Sequence, residues 1–174
     1  WRQAARYGVP RICFINKMDK AGSDFQKAVQ SIRDRLGAKA VPVQLPIMED
    51  GEVKGAIDLI EMDVIWSVEG ADAIRKPIPE HLMEAAEEAR TTLIEEVAEY
   101  SDALLETYLE GGEVSRAEIR QGLRIGTLRC AMHPVLAGSA LKDKGVKSLL
   151  DAVCDYLPSP LDMPPMQGQA SLTD

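Results

Sequence analysis

Asn16, Lys17 and Asp19 stand together in the run Asn16-Lys17-Met18-Asp19 and have the chemistry to read a guanine base. Guanine offers two donors side by side, N1–H and the N2 amino group, and two acceptors, O6 and N7. A carboxylate such as Asp19 can accept both donors in a charge-assisted pair. The Asn16 amide can donate toward the acceptor side while its oxygen ties down neighbouring loops. Lys17 can lay its methylene stem along a ring face and keep its ammonium in water. A polar turn capping a core strand would carry the same letters, so this motif alone does not decide.

A second group lies far along the chain, in Gly138-Ser139-Ala140-Leu141. A backbone N–H at Ala140 can donate to O6, a contact that needs a tight loop with little side chain nearby. The Ser139 hydroxyl can buttress the Asp19 carboxylate, and Leu141 can cover the ring face opposite Lys17. One loop would discriminate the donors of guanine and the other its O6.

Both groups need elements to hold them. The apolar run from Val9 to Ile15 predicts a buried strand, and its C-terminal end is where an open α/β sheet places ligands. Trp1 to Tyr7 reads as the end of a helix stopped by Gly8. Beyond the first motif, Ser23 and Gln26 have capping-box spacing, and Phe25, Val29, Ile32 and Leu36 follow at helical intervals up to Gly37. Strand, polar loop and amphipathic helix make a βα unit. A second unit comes from the strand His133 to Gly138 and a helix with Val146, Leu149, Leu150, Val153 and Leu157 inward. Pro158 ends that helix and opens a stiff linker with Pro160, Pro164 and Pro165.

The pattern between the two units is different. Val41 to Met48 contains Pro42 and Pro46, which suits an edge strand. Glu49-Asp50-Gly51-Glu52 is a hairpin turn, and 53–60 and 62–68 supply further strands. Residues 70–79 read as a loop. Pro79 then opens a long helix with Leu82, Ala86, Ala89, Leu93 and Val97 on one side. Tyr100-Ser101-Asp102 breaks it, with Asp102 as cap of a short helix reaching Leu109. After Gly111-Gly112, Ser115 and Glu118 form a capping box for a helix that carries Ile119 and Leu123. Antiparallel hairpins interrupting an α/β progression predict an insertion over 40–129, with 1–39 and 130–160 forming the parent domain and 161–174 a Pro-rich linker and tail.

Composition bounds the reading. Of 174 residues, 45% are hydrophobic and 28% charged, as in soluble globular proteins. No stretch of eighteen apolar residues and no signal-peptide pattern occurs, so neither a membrane span nor export is expected. The chain opens in mid-pattern at Trp1, as a piece of a longer polypeptide would. Cys13, Cys130 and Cys154 lack metal spacing and are expected to be buried thiols in a reducing cytosol. His81 and His133 are isolated and are expected at the surface. The net charge of −8 is concentrated between Glu80 and Glu110, where nine Glu and one Asp meet a single Arg. A basic nucleic-acid footprint is absent. The acidic stretch is either a solvated helix face or a face for a basic protein partner.

The two motifs together resemble the guanine-specificity motifs of a GTPase. Trp1-Arg2-Gln3-Ala4, Tyr7-Gly8-Val9-Pro10-Arg11, Asn16-Lys17-Met18-Asp19-Lys20-Ala21-Gly22 and the stretch from Gly145 to Pro160 are similar to bacterial-type translation elongation factor G. Asp58-Leu59-Ile60 to Trp66 resembles that family's insert. The resemblance extends to about Pro165, and Ala170 to Asp174 match nothing in it. It implies the C-terminal part of a P-loop-GTPase-like parallel sheet interrupted by an α+β insert subdomain. It further implies a cytoplasmic GTPase, bacterial or organellar, that drives transfer RNA and messenger RNA through the ribosome. By the same resemblance GTP or GDP is the ligand of Asn16, Lys17, Asp19, Ser139, Ala140 and Leu141. Glu95, Glu99, Asp102 and Glu106 become the candidates for docking the ribosomal stalk protein. No G-x-x-x-x-G-K-[ST] motif occurs in the chain, so the phosphate loop, Mg²⁺ ligands and catalytic residues are expected upstream of Trp1, and hydrolysis is expected of the longer parent only. The alternatives are another translational GTPase, an interaction module whose base pocket is idle, and an α/β domain that binds no nucleotide.

Overall fold

The structure, a computed structural model, describes residues 1–68 and 73–162. The start of the expected loop at 70–79, Pro164 and Pro165 of the linker, and the tail at 170–174 fall outside the described residues. In chain order the first elements are α1 (Arg2–Arg6), β1 (Cys13–Ile15), α2 (Phe25–Leu36) and β2 (Ala40–Pro42). Then come β3 (Gln44–Glu49), β4 (Glu52–Asp58), β5 (Asp63–Trp66) and β6 (Ile74–Lys76). Helices α3 (Glu80–Ala98), α4 (Asp102–Leu109) and α5 (Arg116–Leu128) precede β7 (His133–Ala137) and α6 (Val146–Tyr156).

Two sheets result. Strands β1, β7 and β2 form a parallel sheet with β7 in the middle, and β3 to β6 form an antiparallel sheet in chain order. The fold is therefore α/β, with an antiparallel sheet interposed between the second and third strands of the parallel one. Strand β7 is buried at all five residues, as a central parallel strand covered on both faces must be. Its register places Ile15 beside Ala137 and Pro42 beside Val135. Strand β1 spans three residues and is only half-buried, because β7 is its one partner among the described residues.

The chain leaves the parallel sheet after Pro42, just beyond the expected boundary at residue 40, since Ala40 to Pro42 pair with β7. The switch is hydrogen-bonded at each step. Val43 N–H donates to the Val135 carbonyl at 3.1 Å, and the buried Gln44 side chain donates to the Ala137 carbonyl at 3.0 Å. Leu59 N–H returns to the Val43 carbonyl at 3.1 Å. As a result Leu136, Ala152 and Tyr156 from the parallel part share one core with Ile47, Ile57, Leu59, Leu93 and Leu123 from the interposed part.

Local chemistry explains most element ends. Asp50 and Gly51 both take positive φ, 52° and 75°, as the two-residue hairpin turn between β3 and β4 requires. The Ser115–Glu118 capping box forms with both of its hydrogen bonds. Two caps differ from expectation by one residue. Asp24, not Ser23, caps α2 by accepting from Lys27 N–H, while Ser23 Oγ donates to the Met18 carbonyl at 2.8 Å. Ser101, not Asp102, caps α4. Part of the expected loop at 70–79 is strand β6, held to β4 and β5 by Arg75, which pairs with Asp58 and Asp63 at 3.1 and 2.6 Å.

Burial departs from the sequence pattern in α6, at Leu36, at the cysteines and at His133. Helix α6 buries Ala152 and Tyr156, while Leu150 and Val153 stand exposed. Leu36 is exposed in the last turn of α2. Cys154 is exposed, and Cys13 and Cys130 are half-buried. His133 is buried rather than superficial, because it opens the central strand; the Trp1 ring packs edge-on against it at 4.8 Å. Among the described residues no helix is long and apolar enough to cross a membrane.

Helices α3 and α5 approach so closely that a Cβ on Gly122 would overlap the Val97 side chain. Leu123 beside it is fully buried. Leu123→Ala is expected to lower the unfolding free energy by roughly 2–5 kcal/mol through the lost burial and the cavity left behind, read by urea titration.

Candidate functional site

The parallel register of β1 and β7 brings their C-terminal ends side by side, so the loops that follow must meet. The first loop leaves β1 at Asn16. Lys17 adopts a left-handed conformation, φ 61°, which reverses the chain, and Met18 turns into the core at 2% exposure. Met18 N–H donates to the Gly138 carbonyl at 3.1 Å, fastening the first loop to the second by backbone.

The second loop leaves β7 through Gly138 and closes on itself. Ser139 and Lys144 exchange both backbone hydrogen bonds at 3.0 Å, making a small ring that encloses a short 3-10 turn at Ala140–Lys142. Gly138 is required here, since a Cβ at this position would overlap the Lys144 carbonyl and the Phe14 ring.

Side chains complete the junction across 120 residues of sequence. Ser139 Oγ donates to Asp19 Oδ1 at 2.6 Å, and Ser139 is 1% exposed. Asn16 Oδ1 accepts from Lys17 N–H at 2.8 Å and from Ala140 N–H at 3.0 Å, tying both loops to one oxygen. The Asp19 side chain is 4% exposed, with Lys20 Nζ 3.6 Å from its other oxygen. The Ser139 hydrogen bond, aided by the Asp19 backbone N–H and by Lys20 and Lys142, outweighs desolvation and holds the Asp19 carboxyl below the usual carboxylate range. Asp19 is thus a fixed anion, preset to accept hydrogen bonds. Lys17 and Leu141 are exposed, Leu141 at 88%.

Ala140 N–H, which the sequence directs toward a ligand carbonyl, is given to Asn16 instead. The Met18–Gly138 backbone bond and the Ser23 hydroxyl on Met18 are not foreseeable from the residues alone. The first has no side-chain signal, and the second was hidden by the cap role that serine shares. An apolar groove of about 360 Å³ between Phe25, Leu45, Trp66 and Leu82 touches the first loop only at Met18. It contains none of the polar groups just described.

Residues 1–159 match the elongation factor Tu GTP binding domain family. The chain belongs to this family. Elongation factor G of Mycoplasma pneumoniae is 52% identical over 166 residues, which is 94% of this chain and 24% of that protein. A crystal structure of a Thermus thermophilus protein superposes with a TM-score of 0.82 at 30% identity, covering 93% of this chain and 24% of that one. The chain thus spans about a quarter of the length of these relatives. It is a portion of an elongation-factor-type GTP-binding domain, and the two joined loops occupy the strand ends at which an α/β sheet of this class places a ligand. Among the described residues no group of three or more His, Cys, Asp or Glu is gathered as a metal ion would require.

The four acidic candidates sit on α3, on its C-terminal cap and on α4. Glu95 accepts from the Tyr108 hydroxyl at 2.9 Å, and Glu99 pairs with Lys39 at 2.7 Å, so two of them are already engaged within the chain. Asp102 and Glu106 are exposed on α4, beside the exposed Leu105 and Leu109.

Ser139→Ala removes the donor that depresses Asp19, and the Asp19 carboxyl should rise toward its ordinary value in an NMR titration. The sign follows from the depressed folded value. The stabilisation is complete above the unfolded pKa near ~4 and is lost as pH falls through the folded one, so the variant should be less stable than the parent at neutral pH, with the difference closing as pH falls below about 4. An unshifted Asp19 titration would contradict the assignment.

Proposed function

We propose that the two joined loops are the guanine-reading part of a GTP site in a translational GTPase of the elongation factor G type. The observation that carries this is the pair of bonds, Ser139 to Asp19 and Ala140 to Asn16, that locks two strand-end loops into one group. In this reading Asp19 accepts N1–H and the N2 amino group of the base. Adenine presents an acceptor and a C–H there, and the fixed anion would face no donor. The Asn16 amide nitrogen reaches toward N7. Ala140 N–H turns from Asn16 or shares its hydrogen between Asn16 and O6. Lys17 and Leu141, both exposed before binding, close over the two ring faces.

Phosphate and Mg²⁺ contacts are assigned to other parts of a longer polypeptide, because the phosphate-loop motif is not in this sequence. GTP hydrolysis and its coupling to movement of transfer RNA and messenger RNA on the ribosome are proposed for that polypeptide. Support comes from the identity to elongation factor G over nearly all of this chain. We propose a cytoplasmic location on the same relationship. Residues 43–129 are proposed as an inserted subdomain.

For the acidic insert we favour docking of the basic ribosomal stalk protein. Asp102 and Glu106 are exposed on α4 with Leu105 and Leu109 beside them, which offers charge around an apolar centre. Glu95 and Glu99 would contribute field rather than direct contact, since Tyr108 and Lys39 hold them.

Asp19→Asn in the full-length polypeptide should weaken GDP by roughly a hundredfold or more, because two charge-assisted bonds of about 1.5–3 kcal/mol each are lost. The same change should admit xanthosine diphosphate, whose C2 carbonyl can receive the new amide donor. Retained guanine preference in competition calorimetry would sink the reading. Stalk-protein affinity should fall steadily from roughly 0.1 to 1 M salt as the Debye length shrinks from ~10 to ~3 Å, and a salt-independent affinity would argue against the acidic face.

A further inference from the structure

We propose that Glu52, in the first residue of β4 after the hairpin turn, is a positioning residue that clamps the second loop and so keeps Ser139 on Asp19. The proposal rests on the base-reading function above and deepens it, because it makes one residue of the antiparallel sheet part of the support of the nucleotide loops.

The geometry is that of one carboxylate shared by three ammonium groups. Glu52 Oε1 lies 2.7 Å from Lys142 Nζ, and Oε2 lies 3.2 Å from Lys54 Nζ and 3.9 Å from Lys144 Nζ. Lys142 and Lys144 are the two cations of the ring closed by the paired Ser139–Lys144 backbone bonds. The grip therefore falls on the last residue of the turn that presents Ala140 and Leu141 and on the residue that closes the ring. Lys144 is 17% exposed, so its ammonium is held in a partly desolvated place.

The carboxylate itself stands on a rigid base. Glu52 pairs with Glu49 in the ladder, and the turn between them is fixed by Asp50 and Gly51. Val53, the next residue, is 3% exposed and packs into the cluster that also holds Met18, Val135 and Ala137. The hairpin and the two loops are thus joined below by apolar contact and above by charge. Lys142 and Lys54 drive the Glu52 carboxyl down to about 2, so the clamp stays ionised throughout the physiological range. An isolated exposed ion pair contributes little, but several charges converging on one group form the kind of network that does matter.

Lys142 also lies close enough to help hold Asp19 ionised. With Glu52 neutralised, Lys142 and Lys144 lose the carboxylate that they share across the six-residue ring. The ring then opens, and Ser139 leaves Asp19 more often.

The test is Glu52→Gln in the full-length polypeptide, an isosteric change at a side chain 41% exposed. Amide exchange at Ser139 and Lys144 should accelerate severalfold with or without nucleotide. GDP release should become about three- to fivefold faster at low salt, the range an exposed charge cluster supports. The difference should vanish near ~1 M salt, where exposed charges are screened. Combining Glu52→Gln with Lys142→Gln should cost no more than the larger single effect. Unchanged exchange and release overturn the proposal. A release difference that survives high salt, or strictly additive variants, overturns it too, since either would mark a general loss of hairpin structure. Asp19→Asn is run alongside: if guanine preference persists there, the base-reading function fails, while the exchange rates at Ser139 and Lys144 still decide the clamp.

Discussion

The three-residue parallel pairing of Cys13–Ile15 with Val135–Ala137 is the constraint on which the rest depends. Parallel strands in register end on the same side, and whatever follows each of them is delivered to the same place. Asn16 and Gly138 are the next residues after those ends, so the loop junction is a consequence of strand pairing before any side chain acts. The backbone bond from Met18 to Gly138 extends the same logic by one step. Only then do Ser139 and Asn16 act, by fixing one carboxylate and one amide in definite orientations.

The interposed sheet and helices interrupt this parallel sheet without loosening it. Gln44, the first residue of β3, is buried and donates to the last carbonyl of β7, so the antiparallel sheet begins on the strand that ends in the second loop. Arg90 on α3 donates to the Leu59 and Ile60 carbonyls at 2.6 and 2.7 Å, which stops the chain after β4 from fraying. Glu61 receives both Arg116 and Arg120 from α5, tying that helix to the same turn. One apolar cluster spans the antiparallel sheet, α3 and α5 and takes in Leu136, Ala152 and Tyr156 of the parallel part. An insertion with separate folding would need its own boundary of solvent, and no such boundary lies between Leu136 and Leu123.

Much of this was legible in the residues. The polar runs at the two strand ends, the βα units, the hairpin at Asp50-Gly51 and the capping box at Ser115 each depend on neighbours within a few positions. Such signals survive in a linear reading. What was not legible depends on partners far away. Helix α6 carries two overlapping apolar stripes, and the buried one uses Ala152 and Tyr156, the small and the aromatic residue, because α5 leaves room for them. His133 looks like a surface histidine until the strand it opens is found to be central. Strand β6 has too few residues to show a period and exists because β5 offers a ladder. The two serines at Ser23 and Ser101 exchange roles with adjacent aspartates, a choice made by backbone geometry rather than by composition.

Lys39 has a consequence for how the molecule would respond to being pulled. Its ammonium lies 2.7 Å from Glu99 and 3.0 Å from Glu96, over the Tyr100 ring, and its carbonyl receives the first N–H of β7. The far end of the acidic helix is therefore latched, through a single residue, to the peptide that starts the middle strand. Tension applied along that helix would arrive at the sheet with little slack, and with Lys39 removed it would pass instead through Arg33, which lies 3.8 Å from Glu96 and donates to the Ala40 carbonyl of β2.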